Sequence, residues 1–222
     1  MEEPEVSLEI TGKELPGEIK SELRTLPEGL ATFVSKHLVA ASQALDEDPH
    51  LAYRHAQAAK TGSATRVAAV REVVGVTAYA VGEYAVALSE LQAAKRISGQ
   101  VDLLPMMADC YRALGKPDKA VEILQSKEAS KLLVDEYSEL VLVAAGARKD
   151  QGNLSAAMTL VKNNVMIKGK PEFSALRLRF FYAETALAAG DKDTAREWFK
   201  KCLDLDPADE LQVKEILQGI EN

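Results

Sequence analysis

Three histidines and two cysteines are the side chains best suited to metal or nucleophilic chemistry in this sequence. His50 and His55 stand five apart at a helix start, with Asp46 and Asp48 close by. Zinc held on one helix needs ligands three or four residues apart and a second cluster to complete its shell. The sequence supplies neither, so no metal and no cofactor is predicted. Cys110 and Cys202 lack metal spacing and are too few for a disulfide framework, which predicts packing roles in a reducing compartment. Carboxylates are plentiful, but they fall in turns and on helix faces where solvation accounts for them. There is no Gly-x-Gly-x-x-Gly, no Walker sequence and no Gly-x-Ser-x-Gly elbow. No residue receives a catalytic role, and the chain is not predicted to be an enzyme.

The elements that would position any site are helical. Alanine supplies 33 of 222 residues while aromatics make up only 5%, a balance that favours close-packed helices over a sandwich or barrel. Hydrophobic residues reach 47%, yet mean hydropathy is only −0.12, which excludes a disordered or a membrane-embedded chain. No apolar run approaches the ~18 residues of a spanning helix. The opening Met1-Glu2-Glu3-Pro4-Glu5 is acidic where a secretory leader would be basic and then apolar, so a cytoplasmic location is expected. Net charge is −7, and residues 1–32 hold eight Glu against Lys13, Lys20 and Arg24. The near-neutral remainder has no basic block, which argues against nucleic acid and membrane surfaces as partners.

Self-similarity is the strongest signal. Gly-x-x-x-x-Ala recurs as Gly82 with Ala87, Gly115 with Ala120, Gly152 with Ala157 and Gly190 with Ala195. Each lies between two helical apolar patterns. If each turn glycine is position 15, small residues recur at positions 8 and 20, as in Gly75 and Ala87, Ala108 and Ala120, Ala145 and Ala157, and Ala183 and Ala195. Leu91, Leu124, Val161 and Phe199 fill position 24. Counting back 35 residues gives a degenerate first repeat with Ala40, Ala52 and Ala59, whose turn reads Glu47-Asp48-Pro49. This pattern resembles the tetratricopeptide repeat (TPR), in a style that looks bacterial. The resemblance covers about four fifths of the chain. It implies an all-α, right-handed superhelical solenoid in which small residues let hairpins approach and stack.

The expected organisation is an acidic N-terminal arm over 1–13 without fixed structure, then a helix and lead-in over 14–32. Five repeats over 33–208 and a capping helix over 209–222 complete it. Val6, Leu8 and Ile10 alternate and would suit a short strand; Ile19, Leu23 and Leu26 form a helical stripe; Leu211, Val213, Ile216, Leu217 and Ile220 give the last helix one apolar face. The longer spacing before the fifth repeat suggests an extended second helix or loop around Asn163-Asn164 and Val165–Pro171.

What the resemblance implies for function is a concave groove lined by positions 2, 5, 9 and 12 of each first helix. In the first repeat these are Val34, His37, Ala41 and Ala44. Further along, the groove residues singled out are Glu72, Val76, Tyr79, Asp102, Asp109, Arg112, Glu139, Leu142, Lys149, Arg177, Phe180 and Glu184. The Lys/Asn/Arg clamp for a terminal carboxylate found in chaperone-binding relatives is absent. The acidic residues, with Tyr79, Leu142 and Phe180 between them, suit a protein or peptide carrying basic and apolar residues. The expected function is a protein-interaction scaffold or adaptor; the alternatives are a structural subunit whose repeats drive homodimerisation or assembly, and a small-molecule-binding accessory protein.

Overall fold

The computed structural model describes residues 3–165 and 172–221. Within them lie twelve α-helices and no strand, divided between two compact units, Met1–Leu103 and Leu104–Asn222. The first holds α1 (Gly17–Leu23), α2 (Glu28–Ala44), α3 (Pro49–Ala59), α4 (Ala68–Ala80) and α5 (Tyr84–Ser98). The second holds α6 (Leu104–Ala113), α7 (Pro117–Leu124), α8 (Val134–Asp150), α9 (Leu154–Val165), α10 (Glu172–Ala188), α11 (Lys192–Leu203) and α12 (Val213–Glu221). Consecutive pairs from α2/α3 to α10/α11 pack as hairpins, each burying an apolar face that a lone hairpin would leave in water.

The four glycine turns are built alike. Gly82, Gly115, Gly152 and Gly190 adopt φ of 80°, 70°, 75° and 82°, the left-handed conformation that costs a residue with a Cβ about 1 kcal/mol. Each glycine N–H donates to the carbonyl three residues back, and the following N–H reaches five back. Glu83 bonds to Ala78, Lys116 to Tyr111, Asn153 to Arg148 and Asp191 to Ala186, all within 2.9–3.0 Å. This pair of bonds satisfies the last carbonyls of one helix and reverses the chain into the next. Asn153 and Asp191 then cap the second helix by accepting from the N–H groups of Ala156 and Thr194. The first turn lacks the glycine and relies on Asp48, whose side chain accepts from Leu51 N–H at 2.9 Å, followed by Pro49 in the first helical turn.

Close packing explains the small residues. Ala78, Ala87, Ala108, Ala120, Ala145, Ala157, Ala183 and Ala195 are all fully buried, so even one added methylene would force the helices apart. Cys202 holds a small-residue position in the fifth repeat, and like Cys110 it is buried. Burial pushes both thiols up to about 12, far from the thiolate that reactivity needs.

Departures from the repeat plan are local. Asp102 precedes α6 in a turn and falls in the first unit, so it does not extend the α6 face. The alternating Val6, Leu8 and Ile10 form no strand: no neighbouring strand offers a ladder among the described residues, and a turn closes from Ile10 N–H to Ser7 carbonyl. Leu8 is fully exposed, whereas Ile10 is buried beside Leu15, Leu23 and Leu26. Of the lengthened segment before the fifth repeat, Met166–Pro171 lie outside the described residues. At the other end Asp206 accepts from the N–H groups of Glu210 and Leu211, and Asp209 from Val213 and Lys214. This carboxylate brace starts α12, which buries Val213 and Ile220.

Candidate functional site: the first-helix faces of each unit

In the second unit the first helices α6, α8 and α10 run side by side and are joined by charged rungs. Arg112 on α6 donates to Asp150 on α8 through Nε at 2.5 Å and to Asp109 through Nη1 at 3.3 Å. Arg177 on α10 pairs with Glu139 on α8, and the Ser174 hydroxyl donates to Asp135. Both ion pairs join residues 38 apart, about one repeat, so each rung links equivalent levels of adjacent first helices. Gly146 leaves room for the Arg112 rung, since a Cβ there would stand a tight 3.2 Å from the guanidinium carbon. Lys149 lies over the Phe181 ring at 5.5 Å, and Arg177 over Phe173 at 5.7 Å, a cation–ring geometry worth about 0.5–1 kcal/mol when exposed.

The residues singled out in the sequence therefore divide. Asp109, Arg112, Glu139, Leu142, Lys149, Arg177, Phe180 and Glu184 belong to the second unit, where Asp109 and Glu139 already face arginines. Phe180 is half-buried with its ring edge-on to Phe199 at 5.6 Å. Glu184 is exposed and Leu142 half-buried. The sequence reading missed Asp150, the space made by Gly146, and an apolar patch. Leu133 and Phe173 are about seven-tenths exposed, and Val134 is also exposed. Leu133 and Val134 stand at the start of α8 and Phe173 at the start of α10, and the Ser174 to Asp135 bond links those two helix starts. Recurrent acid–base spacing at 38 and the Leu132-Leu133-Val134 run were the available signals.

In the first unit the corresponding faces are covered. Val34, His37, Ala41 and Ala69 are buried, while Glu72 and Val76 are half-buried. Tyr79 is half-buried too, its ring edge-on to Tyr84 at 5.6 Å. Over Val34 and Ala69 the cover is the N-terminal segment, whose Ile10, Leu15, Leu23 and Leu26 share one core with them and with Leu38 and Val70, whereas Ala41 packs with Ala56 and Val74. Glu22 accepts from Ala69 N–H at 3.1 Å, capping α4 in place of Val67, which offers no side-chain cap. Burial, reinforced by Asp102 and Glu22, pushes the Glu72 carboxyl above the usual range.

Two buried polar groups also distinguish this unit. His37 on α2 and His55 on α3 meet Nδ1 to Nδ1 at 3.0 Å, so one nitrogen must donate and the other accept. Burial lowers the pKa of both imidazoles, against the pull of Glu3 on His37 and with help from His37 and Arg54 on His55. Glu90 on α5 is buried and takes Lys60 at 2.6 Å and Arg71 at 2.7 Å. Burial alone would raise its carboxyl, but the hydrogen bonds from Arg71 and Lys60 outweigh it and hold the group below the usual range.

The hairpins, their glycine turns and their small-residue contacts define an all-α repeat protein of helical hairpins. A family model described as tetratricopeptide repeat matches residues 176–209, the fifth repeat in the register that puts Gly190 at position 15. The chain is thus a tetratricopeptide-repeat-containing protein. No curated protein matches it. Such repeats generally mediate protein–protein contacts, and all-helical folds of this type are ordinarily non-catalytic. No helix among the described residues is long and apolar enough to cross a membrane.

Proposed function

We propose that the protein is a non-catalytic interaction module that presents the first-helix face of its second unit to a protein or peptide segment, as a scaffold or adaptor does. The observation that carries this reading is the exposure of Leu133 and Val134 at the start of α8 and of Phe173 at the start of α10, two helix starts that the Ser174 to Asp135 bond links beside the Arg177–Glu139 pair. Exposed apolar side chains with a charged rim are the ordinary make-up of a transient interface. A basic partner loses much of its electrostatic argument here, because Asp109 and Glu139 are already paired. An apolar anchor that packs beside Phe173 fits this face better.

The same patch supports a second reading, in which a second copy of the chain covers it and the repeats serve assembly. One experiment separates the two: a photo-crosslinking residue at position 173, with an exposed control at Lys119 on α7. Adducts with a different protein at 173 and none at 119 support the module; an adduct of twice the chain mass supports self-assembly. Equal labelling at both positions, or none at 173, removes the patch as an interface.

A further inference from the structure

Residues 3–26 and the first two repeats make contacts more like those of a peptide in its receptor than those of a repeat with its neighbour. The segment contains no hairpin of its own. Its one helix, α1, has seven residues, too few to persist without a supporting surface. It lies on α2 and α4, the first helices of two successive repeats, and buries Val34 and Ala69 at the positions where a tetratricopeptide groove would receive a ligand. The anchors are of two kinds. Ile10, Leu15, Leu23 and Leu26 supply the apolar contacts, and Gly12 lies so close to α2 that a Cβ would stand 2.7 Å from that of Ser35. The carboxylate of Glu22 reaches the start of α4 at the Ala69 N–H, where the helix dipole favours negative charge. At its far end Glu3 approaches His37 Nε2 at 3.5 Å and lines two surface depressions, one with Lys36 and the other with Arg54 and Lys60.

The fit also carries a built-in conflict. Seating Glu22 brings a second negative charge toward half-buried Glu72, which already feels Asp102. Like charges in a partly desolvated setting repel, so the occupant gives back part of its apolar gain.

We infer that residues 3–26 are a resident ligand of the first-helix face of α2 and α4, and that this face takes, by exchange, a partner segment of the same chemistry: a short amphipathic helix bearing a Leu/Ile stripe and acidic residues. The inference concerns a different face from the one proposed above and does not depend on it. It also reverses the expected charge of the partner for this unit, since the occupant is acidic: Glu22 caps α4, and Glu3 approaches His37 and lines the same surface depressions as the basic Lys36, Arg54 and Lys60.

Native-state hydrogen exchange on the full chain, followed by peptide binding in trans, tests it. The α1 amides should exchange at least tenfold faster than those of α4 and α5, in a step that leaves the latter protected. Equal protection would make the segment an integral cap and overturn the inference. In the full-length Leu23→Asp chain the resident segment is weakened, and a labelled synthetic peptide of residues 3–26 should bind at least tenfold more tightly than to the unaltered chain. A peptide carrying the same substitution, or one with its six glutamates changed to lysine, should not bind. Retained repeat structure without peptide binding, or equal binding of the lysine peptide, overturns the docking face or its charge preference respectively. If Leu23→Asp unfolds the repeats, the segment is structural, and the exchange pattern of the unaltered chain must agree.

Discussion

Glu90 in the first unit and Glu139 in the second both answer an arginine on a neighbouring helix, yet one is buried and the other half-exposed. The contrast extends beyond that pair. Met1–Leu103 draws ionisable groups inside: the His37–His55 contact, Glu90 with Lys60 and Arg71, and Glu72 under the N-terminal segment. Leu104–Asn222 strings most of its charges across helix surfaces, as Arg112–Asp150, Arg148–Asp118 and Arg177–Glu139, and its buried Asp206 is held by backbone N–H groups. Both units stack hairpins on small residues, so the difference does not come from the repeat. It follows from the degenerate first repeat and the segment over it, which close off a face the second unit leaves open. Proton concentration should therefore govern the first unit's stability more strongly than the second's.

The largest effect should come from Phe199→Ala, which opens a cavity beside Phe180 at a cost of about 4 kcal/mol. Trp198 is the sole tryptophan and sits in the second unit against Tyr182. Its fluorescence in urea should shift to a lower midpoint, while histidine resonances of the first unit persist to higher urea. A single shared transition would merge the two units and dissolve the contrast.

Next in size is Glu90→Ala, expected to cost about 3 kcal/mol because it strands two partly buried cations. Arg177→Ala in the second unit should cost below about 1 kcal/mol. Urea unfolding of both variants measures the ratio, and equal costs would break the comparison.

The pH dependence is third. The histidines are held neutral by burial, with folded pKa values below the ordinary 6.5, so the unfolded chain binds more protons there. Their contribution is present above about pH 6.5 and is lost as pH falls toward the folded values. Glu90, with its lowered carboxyl, acts in the same sense at more acid pH, while Glu72, with its raised carboxyl, favours the fold below its ordinary range. First-unit stability should fall between pH 7 and pH 5, and His37→Leu/His55→Leu should flatten that slope. A slope that survives the double variant would place its origin elsewhere.

The smallest effect is at the thiols. Cys110 and Cys202 should stay unlabelled by a water-soluble disulfide reagent at pH 8 until urea opens the second unit, and fast labelling in buffer would show that unit to be looser than its packing implies.

The parts of this fold legible in sequence are those where one physical requirement repeats. A left-handed turn needs glycine and a close helix contact needs alanine, so Gly82 to Gly190 and the alanines around them announce themselves by period. The His37–His55 contact repeats nowhere. Its members are 18 residues apart, and the only histidine pair that sequence spacing suggests, His50 with His55, points to the wrong neighbour. The rungs of the second unit were half visible: Asp109, Arg112, Glu139 and Arg177 are each at groove positions, but opposite charges one repeat apart gain meaning only once helices lie parallel. The cover over the first unit was hidden for another reason. The acidic composition of residues 1–32 describes the solvent side of the segment, and of the residues that hold it only Leu23 and Leu26 fall on a helical stripe, while Ile10 and Leu15 continue no periodic pattern with them.

The four turn glycines carry one more consequence. At Gly82, Gly115, Gly152 and Gly190 a Cβ would meet nothing within 4 Å. The constraint there is one of chirality alone. A D-alanine, for which these positive φ values are the relaxed ones, should fit each turn in a chemically synthesised chain. By narrowing the unfolded ensemble it should raise stability by about 0.4–1 kcal/mol per site, whereas L-alanine at the same atoms lowers it. The repeat is thus written partly in a stereochemical alphabet that ribosomal synthesis can only approximate, with glycine as the one achiral letter.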